Sequence, residues 1–486
     1  MYIGGESCDS ASGRWLETQY PYTGKTWAEI PRGDAADVDR AVRAAHRAFT
    51  TGPWATVTAS DRGLLLYRLA DLVTANAERL ADIEVRDNGK LKVEMLNQMR
   101  YLPRWLQYYG GLADKIEGKV TPIDKEDMFH YVRYEPLGVV AAITPWNSPL
   151  LLTLWKLAPA LAAGNTVVVK PSEFASVSMI EFAKLSEQAG FPSGVINVVT
   201  GYGEEAGEPL VTHPLVARVA FTGGDAGGRK VYESAARGLK RVSLELGGKS
   251  PNIVFEDASI DEAVKGVISG IFAASGQTCM AGSRLLVHQS IHDELVSKMI
   301  DAMAGARLGD PYDPATNIGP MATEQQLTKV LHYIDIGKRE GAHCALGGAR
   351  ATGPGLDQGW FVQPTIFTGV TNSMRIAREE VFGPVLVVIP FGSDEEAIAI
   401  ANDTEFGLAA GLWTGSLDRA INMPKRLKAG TVWVNAYRVV SYMAPFGGVK
   451  ASGIGRENGA DAIYEYLEAK SVFIRPTPKI LNPFLM

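Results

Sequence analysis

Apolar residues in the first third of the chain recur with a helical period. Val38, Val42 and Phe49 fall on one stripe, and Asp34 stands before them as a helix-capping residue. A second helical pattern opens at Ser60 and continues to residue 80. The pattern therefore predicts that the first third of the chain is helical.

From residue 139 onward the pattern changes, because short apolar runs alternate with helical stretches. The predicted strands are 139–143, 166–170, 196–200, 218–222 and 242–246. The predicted helices between them are 177–189, 206–212 and 228–237. Alternation of this kind is typical of a parallel sheet that helices cover on both faces.

A second alternating region follows Pro251. Its predicted helices are 260–275, 291–304 and 324–340, and its predicted strands are 284–287, 385–389 and 431–434. The segments 128–134 and 471–474 are predicted to be isolated strands, with no other predicted strand close to them in the sequence. Because a lone strand needs a partner, we expect them to pair with each other or with another subunit. The chain is thus predicted to be an α/β protein with two α/β units and a small β element.

Length and composition describe a large globular protein. The chain has 486 residues, which is enough for about three folding units. Hydrophobic residues make up 46% and charged residues 21%, as in ordinary globular proteins. The net charge of −6 offers no basic surface for nucleic acid.

The three cysteines, Cys8, Cys279 and Cys344, are too few for a disulfide framework and contain no Cys-x-x-Cys pair for zinc. His288 and His292 lack the glutamate of a zinc-protease helix, so we expect no metal. The chain shows no signal-peptide pattern and no uninterrupted apolar stretch of about 20 residues. These features predict a cytoplasmic protein.

Two glycine-rich turns follow predicted strands, at residues 201–206 (GYGEEA) and 221–228 (FTGGDAGG). Glycines let backbone N–H groups approach a pyrophosphate at a helix N-terminus. Each turn alone is more often a plain tight turn, and two in neighbouring units make a dinucleotide site and two plain turns comparable interpretations. Near another strand end, Glu173 either holds a ribose diol or simply favours a helix dipole, and Lys170 lies beside it.

Three residues are candidates for chemistry, each with an ordinary structural alternative. Cys279 lies among small residues in ASGQTCMAGS, which suits either a nucleophile or an inert core residue. Glu245 stands between leucines, as a general base with a raised pKa or as a partner of Lys249. Asn147, between prolines, either donates to an oxyanion or bonds its own backbone in a turn.

Seven segments of the chain occur together in one order. They are PWNSP at 145–149, KPSE at 170–173, FTGG at 221–224, LELGGK at 244–249, GQTC at 276–279, EEVFGP at 379–384, and PFGGxK with SGxGRE at 445–457. Any one of them can arise by chance, but the ordered set spans nearly the whole chain. In this set the chain resembles the aldehyde dehydrogenase superfamily, of the NAD(P)-dependent, hydrolytic type.

The resemblance implies roles for the matching residues. Cys279 would be the nucleophile, Glu245 the general base, and Asn147 with the Cys279 backbone N–H the oxyanion hole; Lys156 matches a supportive lysine nearby. The residues implied to bind the cofactor are Ile143, Thr144, Trp146, Lys170, Glu173, Gly203, Gly207, Phe221, Gly223, Gly224, Leu246, Glu380 and Phe382. The implied cofactor is NAD, because Glu173 would repel the 2′-phosphate of NADP, although Lys170 leaves NADP open.

The implied substrate is a small-molecule aldehyde that enters a tunnel. The implied tunnel residues are Ser148, Leu152, Trp155, Met280 and Val440. Gly224 stands where many family members carry serine. Ser148 stands where many carry phenylalanine, and the smaller serine side chain would widen the tunnel. Arg438, in the loop over the tunnel mouth, either attracts an acidic aldehyde or lies at the surface or an interface.

The family architecture implies a Rossmann-like dinucleotide-binding domain of residues 1–117 and 138–247 and a second α/β, catalytic domain of residues 248–448. Residues 118–137 and 465–486 would form a small β oligomerisation element that bridges the subunits of a homodimer or homotetramer. Neither nucleic acid nor membrane is an expected partner.

The implied reaction oxidises an aldehyde to a carboxylic acid through a thiohemiacetal and a thioester on Cys279. Water activated by Glu245 would hydrolyse the thioester. Three alternatives stay open: a CoA-acylating semialdehyde dehydrogenase, a non-catalytic dinucleotide-binding protein of the same fold, and a cysteine hydrolase without a cofactor.

Overall fold

The computed structural model describes residues 1–478 and 482–484, and the strands of this part form four sheets. In chain order the strands are β1 Tyr2–Ile3, β2 Glu6–Ser7, β3 Trp15–Tyr20, β4 Lys25–Pro31, β5 Lys119–Val120, β6 Phe129–Pro136, β7 Val139–Thr144, β8 Thr166–Pro171, β9 Ile196–Val198, β10 Val216–Thr222, β11 Arg241–Glu245, β12 Pro251–Val254, β13 Arg284–His288, β14 His343–Leu346, β15 Thr365–Thr368, β16 Val385–Phe391, β17 Ala409–Trp413, β18 Thr431–Val434, β19 Gly453–Ile454 and β20 Leu467–Ile474.

Helices connect most of these strands. They are α1 Ala35–Thr50, α2 Ala59–Ala75, α3 Ala77–Asn88, α4 Lys92–Tyr101, α5 Pro103–Leu112, α6 Pro149–Ala163, α7 Val177–Gln188, α8 Glu208–Thr212, α9 Asp225–Arg237, α10 Ile260–Phe272, α11 His292–Met303, α12 Glu324–Arg339, α13 Arg375–Arg378, α14 Asp394–Asn402 and α15 Leu417–Arg426. None of the described helices combines the length and the apolar character that spanning a lipid bilayer requires.

The first sheet has the order β19-β11-β10-β7-β8-β9-β1-β2, and its five strands from β7 to β11 pair in parallel. Alternate residues of β7 face opposite sides. Val140 and Ala142 pack in a cluster with residues of α2, α5 and α6, whereas Val139 and Ala141 pack in another with residues of α1 and α8. Helices therefore cover both faces, as the alternating pattern predicts.

The second sheet has the order β14-β15-β16-β13-β12-β17-β18, and only β14 runs antiparallel to its neighbour. Val254 and Leu285 face α10 and α11, whereas Ile253 and Leu286 face α12 and α14. Residues 246–250 connect β11 directly to β12, so the chain crosses from one sheet to the other in five residues. This short crossing holds the two sheets side by side.

The isolated strand segments predicted near residues 130 and 472 pair with each other. β6 and β20 form an antiparallel ladder that runs from Leu467 opposite Pro136 to Ile474 opposite Phe129, and β5 adds a third strand. This part of the expectation is confirmed. Residues 479–481 and 485–486, which also belong to the predicted oligomerisation element, lie outside the described residues.

The prediction of a wholly helical first third is wrong for residues 2–31, which form β1 to β4. In β3 only Leu16 and Thr18 are buried, so its alternating pattern has too few apolar positions to stand out. The capping role of Asp34 is confirmed, since its side chain accepts a hydrogen bond from the Ala36 N–H.

The second predicted helix, from Ser60 to residue 80, also differs from the structure. The chain caps this helix earlier, at Thr58, whose side chain accepts from the Asp61 N–H. The helix then breaks at Asn76, which leaves helical geometry and separates α2 from α3. Asparagine favours such breaks because its side chain competes for nearby backbone groups; here its amide donates to the Leu72 carbonyl.

Candidate active site

The carboxyl ends of the parallel strands in the first sheet open onto a cavity of about 390 Å³. Ligands of open α/β sheets bind at this edge. The predicted site residues in its wall are Ile143, Thr144, Trp146, Asn147, Leu152, Lys170, Glu173, Gly203, Phe221, Gly223, Gly224, Glu245, Leu246, Cys279, Glu380 and Phe382. The fold thus gathers residues from positions 143 to 382 around one space.

Cys279 enters the cavity from a strained turn that follows α10. Ala274 and Ser275 both have φ of 53°, and Gly276 has φ of 71°. Left-handed backbone costs a residue with a side chain about 1–2 kcal/mol, so packing must hold the turn. A methyl group at Gly276 would lie 2.1 Å from the carbonyl oxygen of Gly383, so only glycine fits there.

Asn147 approaches the cysteine turn from the other sheet, just before α6. Its side chain is 5% exposed, and Nδ2 donates to the carbonyl oxygen of Gln277 at 3.1 Å. This bond uses one of two amide hydrogens, which leaves the other for a ligand in the cavity. The glutamine is itself fixed, because its side chain donates to Pro320 and accepts from Ala322.

Glu245 ends β11 and lies in the same cavity wall as Cys279. Its side chain is 4% exposed, and neither carboxylate oxygen has a hydrogen-bond partner within the described chain. Burial raises the pKa of Glu245 well above its usual value, and the nearby Glu457 raises it further. A carboxyl group in this setting is poised to hold a proton near neutral pH.

Lys156 lies behind this wall rather than in it. The ammonium group is fully buried in α6 and donates to Thr222 Oγ1 and to Glu457 Oε1. Lys156 lowers the pKa of Glu245, opposing Glu457. Glu457, which the sequence indicated only as part of a motif, is therefore a residue of the site's electrostatics.

The Cys279 side chain is half-buried, and its thiol is free. Burial raises the pKa of Cys279 to about 12, and the carboxylates of Glu245 and Glu380 add to the shift. The backbone N–H groups of Met280 and Cys279 oppose it. The free protein therefore carries a protonated thiol at neutral pH.

A second cavity of about 620 Å³ continues from the first. The two share Ile143, Lys170, Glu173, Gly203 and Phe221, and the second also includes Gly207. Lys170 Nζ lies 3.4 Å from Glu173 Oε2. Together the two cavities form a groove that leads along the strand ends to Cys279.

The glycine-rich segments lie in this groove in different ways. Residues Gly203–Gly207 form a π-helical turn that leads into α8, whereas Gly224 stands before α9 as its N-cap. A methyl group at either Gly203 or Gly224 would meet no atom within 4 Å. The groove therefore has room for a ligand against both backbones, and the N-terminus of α9 favours a negative charge.

Glu380 and Phe382 reach the cavity from the second sheet. Glu380 Oε1 accepts from the Gly248 N–H at 2.9 Å, and a methyl group at Gly247 would come 2.4 Å from the same oxygen. Phe382 meets Trp146 edge to face, with ring centroids 5.3 Å apart. Through these contacts, residues connected to the second sheet lie against the carboxyl ends of the strands in the first sheet.

Of the five predicted tunnel residues, only Leu152 is in the cavity wall. Trp155, Met280 and Val440 pack instead in the core cluster that also contacts Cys279, and Trp155 meets Phe446 at 5.2 Å. Ser148 is buried, and Oγ accepts from Lys90 Nζ at 2.9 Å.

Two residues of α12 also line the cavity and had no sequence signal. Gln326 donates to the carbonyl oxygens of Val381 and Phe382, and Lys329 lies beside it. Only long-range folding brings α12 to the strand ends. No three His, Cys, Asp or Glu side chains of residues 1–478 and 482–484 gather as metal ligands.

Comparisons with known proteins show which family the chain belongs to. A model of the aldehyde dehydrogenase family matches residues 8–472. The chain is 46% identical over 489 residues to the (Z)-2-((N-methylformamido)methylene)-5-hydroxybutyrolactone dehydrogenase of Acinetobacter baylyi, covering 100% of this chain and 99% of that protein. The chain therefore belongs to the aldehyde dehydrogenase family.

Solved structures match over the whole fold. A point mutant of Staphylococcus aureus betaine aldehyde dehydrogenase, in complex with NAD⁺, gives a TM-score of 0.98 at 40% identity over 100% of this chain and 99% of that one. An NAD⁺ complex of a Bacillus cereus aldehyde dehydrogenase gives 0.96 at 44% identity, covering 98% and 96%. The fold class is accordingly α/β with a Rossmann-like and a catalytic domain, and the protein is an enzyme of aldehyde oxidation.

We expect Gly276→Ala to destabilise the cysteine turn. The new methyl group meets the Gly383 carbonyl at 2.1 Å in a left-handed conformation, so the cost should be at least about 2 kcal/mol. Thermal unfolding measures the effect, with Gly305→Ala as control because nothing lies within 4 Å of that position. Equal melting temperatures for both variants would contradict a packed turn.

The thiol of the free protein should alkylate slowly at neutral pH. Because the pKa of Cys279 is raised to about 12, its reaction with iodoacetamide should quicken about tenfold per pH unit between pH 7 and pH 10. Mass spectrometry of the peptide that contains Cys279 measures the rate, with the Cys8 and Cys344 peptides as internal references. A plateau already at pH 8 would be inconsistent with the raised pKa of the Cys279 thiol.

Proposed function

We propose that the protein oxidises an aldehyde to a carboxylic acid with NAD⁺, through covalent catalysis at Cys279 and hydrolysis assisted by Glu245. The observation that carries this proposal is the shared cavity wall, in which Cys279, Glu245 and Asn147 meet at the end of a nucleotide-sized groove. A thiol, a buried carboxyl group and an amide donor are the three groups that acyl transfer through a thioester needs.

The residues of the groove fit a dinucleotide. Lys170 and Glu173 would bind the adenosine ribose, Gly203 and Gly207 leave room along the adenine, and the N-terminus of α9 would face the pyrophosphate. Glu380 would hold the other ribose, with Trp146, Leu246 and Phe382 around the nicotinamide. The NAD⁺ complexes of the two similar enzymes support NAD⁺, and the charge of Glu173 disfavours a 2′-phosphate.

In the first half of the reaction, Cys279 Sγ forms a bond to the aldehyde carbon. The oxygen of the adduct accepts hydrogen bonds from Asn147 Nδ2 and the Cys279 backbone N–H. The chemistry that bound NAD⁺ supplies at this point is acceptance of a hydride from that carbon, which leaves a thioester on Cys279. The thiol must lose its proton for this step, and the positive charge of the bound nicotinamide would favour the thiolate.

In the second half, water hydrolyses the thioester and Glu245 takes its proton. The raised pKa of Glu245 suits this role, since a base works best near the operating pH. Behind Glu245, Lys156 and Glu457 have opposite effects on its pKa, since Lys156 lowers it and Glu457 raises it. A carboxyl group beside the sulfur favours water over CoA as the acceptor of the acyl group.

The proposed function also assigns a role to each predicted domain of the chain. Residues 1–117 and 138–247 would carry the nucleotide, residues 248–448 the cysteine, and residues 118–137 and 465–486 the contacts of a homodimer or homotetramer. The outer position of β20 in its sheet supports the last point, because a free strand edge can pair with another subunit.

Cys279→Ala should abolish NADH production, whereas Glu245→Gln should keep one rapid turnover and then stall. The second variant still forms the thioester but lacks the base that hydrolyses it. Stopped-flow absorbance of NADH separates the burst from the steady rate, with Cys344→Ala as a matched cysteine control that retains activity. A wild-type steady rate in Glu245→Gln would remove Glu245 from this role.

Asn147→Ala should lower kcat about 10²-fold to 10³-fold, because one donor to the developing oxyanion is lost. Steady-state kinetics with NAD⁺ and a simple aldehyde measure the change. Asn422→Ala, at an exposed position of α15, is the control and should leave kcat unchanged. If the two variants behave alike, the amide does not contact the reacting oxygen.

A further inference from the structure

Two cations from separate segments approach the cysteine site outside the nucleotide groove. Lys90, between α3 and α4, is 6% exposed, and Nζ donates to Ser148 Oγ at 2.9 Å. Ser148 follows Asn147 directly, so Lys90 contacts the residue next to the proposed oxyanion donor. No sequence pattern pointed to Lys90.

Arg438 approaches from the loop after β18. The preceding Tyr437 donates its hydroxyl to the Met280 carbonyl at 3.1 Å, which fixes this loop beside Cys279. Arg438 is half-buried, and Nη1 donates to the Ser269 carbonyl at 3.0 Å. Its backbone has φ of 63°, a strained conformation for a residue with a side chain, so the surrounding structure holds it in place.

The charges around these cations do not balance. Glu94 is the carboxylate that acts most strongly on both, and its Oε1 already accepts from the Ala274 N–H at 2.8 Å. In the described chain neither Lys90 nor Arg438 forms an ion pair with a carboxylate. Glu84 also acts on Lys90, but burial raises the pKa of Glu84 to about 7, so this carboxyl group carries only part of a negative charge at neutral pH. Lys90 and Arg438 therefore keep an excess of positive charge, which is costly when buried unless an anion neutralises it.

Both cations stay charged at neutral pH. Burial lowers the pKa of Lys90 to about 8, opposed by Glu94, and the neighbouring charge of Arg438 lowers it too. Burial also lowers the pKa of Arg438, again opposed by Glu94. A negative charge on the Cys279 sulfur would raise the pKa of both cations and so favour their charged forms.

We propose that Lys90 and Arg438 form a subsite that binds a carboxylate of the substrate, so that the preferred substrates are aldehydes that carry a carboxylate. This inference rests on the proposed function, since it assumes that the aldehyde carbon meets Cys279. The planar guanidinium of Arg438 matches a carboxylate with two parallel hydrogen bonds, and only one of its five N–H donors is used by a described residue. A cationic substrate would instead face the excess positive charge.

The test compares substrates that differ only in charge. For the wild-type enzyme, kcat/KM for 4-oxobutanoate should exceed that for its methyl ester at least tenfold. Arg438→Gln should lower this ratio about tenfold through the KM of the acid, while the ester changes little. Lys90→Met should act in the same direction, and Arg438→Lys should restore part of the preference.

Control measurements separate the subsite from general effects. Arg104→Gln, at an exposed position of α5, should leave the ratio unchanged. Betaine aldehyde should react more slowly than its neutral analogue 3,3-dimethylbutanal in the wild type, and Arg438→Gln should narrow that gap. Added NaCl should raise KM for the acid and not for the ester, because salt screens the attraction.

A binding measurement keeps this inference separate from the proposed function. Calorimetry should detect butanoate but not butanamide on the wild-type protein, and butanoate binding should weaken in Arg438→Gln. Equal kcat/KM for acid and ester, or equal losses for both in Arg438→Gln, would overturn the carboxylate subsite and leave aldehyde oxidation standing. Absence of NADH with every aldehyde, together with selective butanoate binding, would overturn the oxidation and support the subsite.

Discussion

The strained turn before Cys279 is the feature on which the site depends. Its residues 274–276 have left-handed backbone conformations, and Gly276 packs directly on the backbone of Gly383. That contact ties the cysteine to the second sheet, while Asn147 ties it to the first through the Gln277 carbonyl. Without this turn the thiol would not reach the strand ends where the groove opens.

The electrostatics of the cavity place opposite charges on different sides of the sulfur. Burial raises the pKa of the Cys279 thiol, and the carboxyl groups of Glu245 and Glu380 raise it further, so the thiol stays protonated in the free protein. Such a thiol is protected from adventitious reaction until a ligand changes its surroundings. Lys90 and Arg438 supply the positive charge, but from the side that we assign to the substrate, so the site is asymmetric.

Most residues of the candidate site can be predicted from the sequence, whereas fewer of the elements around the site can. The parallel strands and their helices can be predicted because buried apolar runs and amphipathic helices have clear periods. Motif residues that follow parallel strands come together because the carboxyl ends of those strands lie at one edge of the sheet. β1 to β4 were missed because short, half-exposed strands bury few side chains. Trp155, Met280 and Val440 lie outside the cavity wall because their aromatic and aliphatic neighbours close around them.

Local patterns of the sequence are enough to predict the α/β class, the order of motifs and the residue types of the chemistry, since a period or a spacing reveals each of them. Which charges face one another follows only from the packing of the folded chain. Distant segments of the chain contribute Lys90, Lys329 and Glu457. No local sequence pattern predicts which groups a buried charge will face. Burial and partner choice arise only when separate elements pack, so the pKa values and the carboxylate subsite belong to the fold.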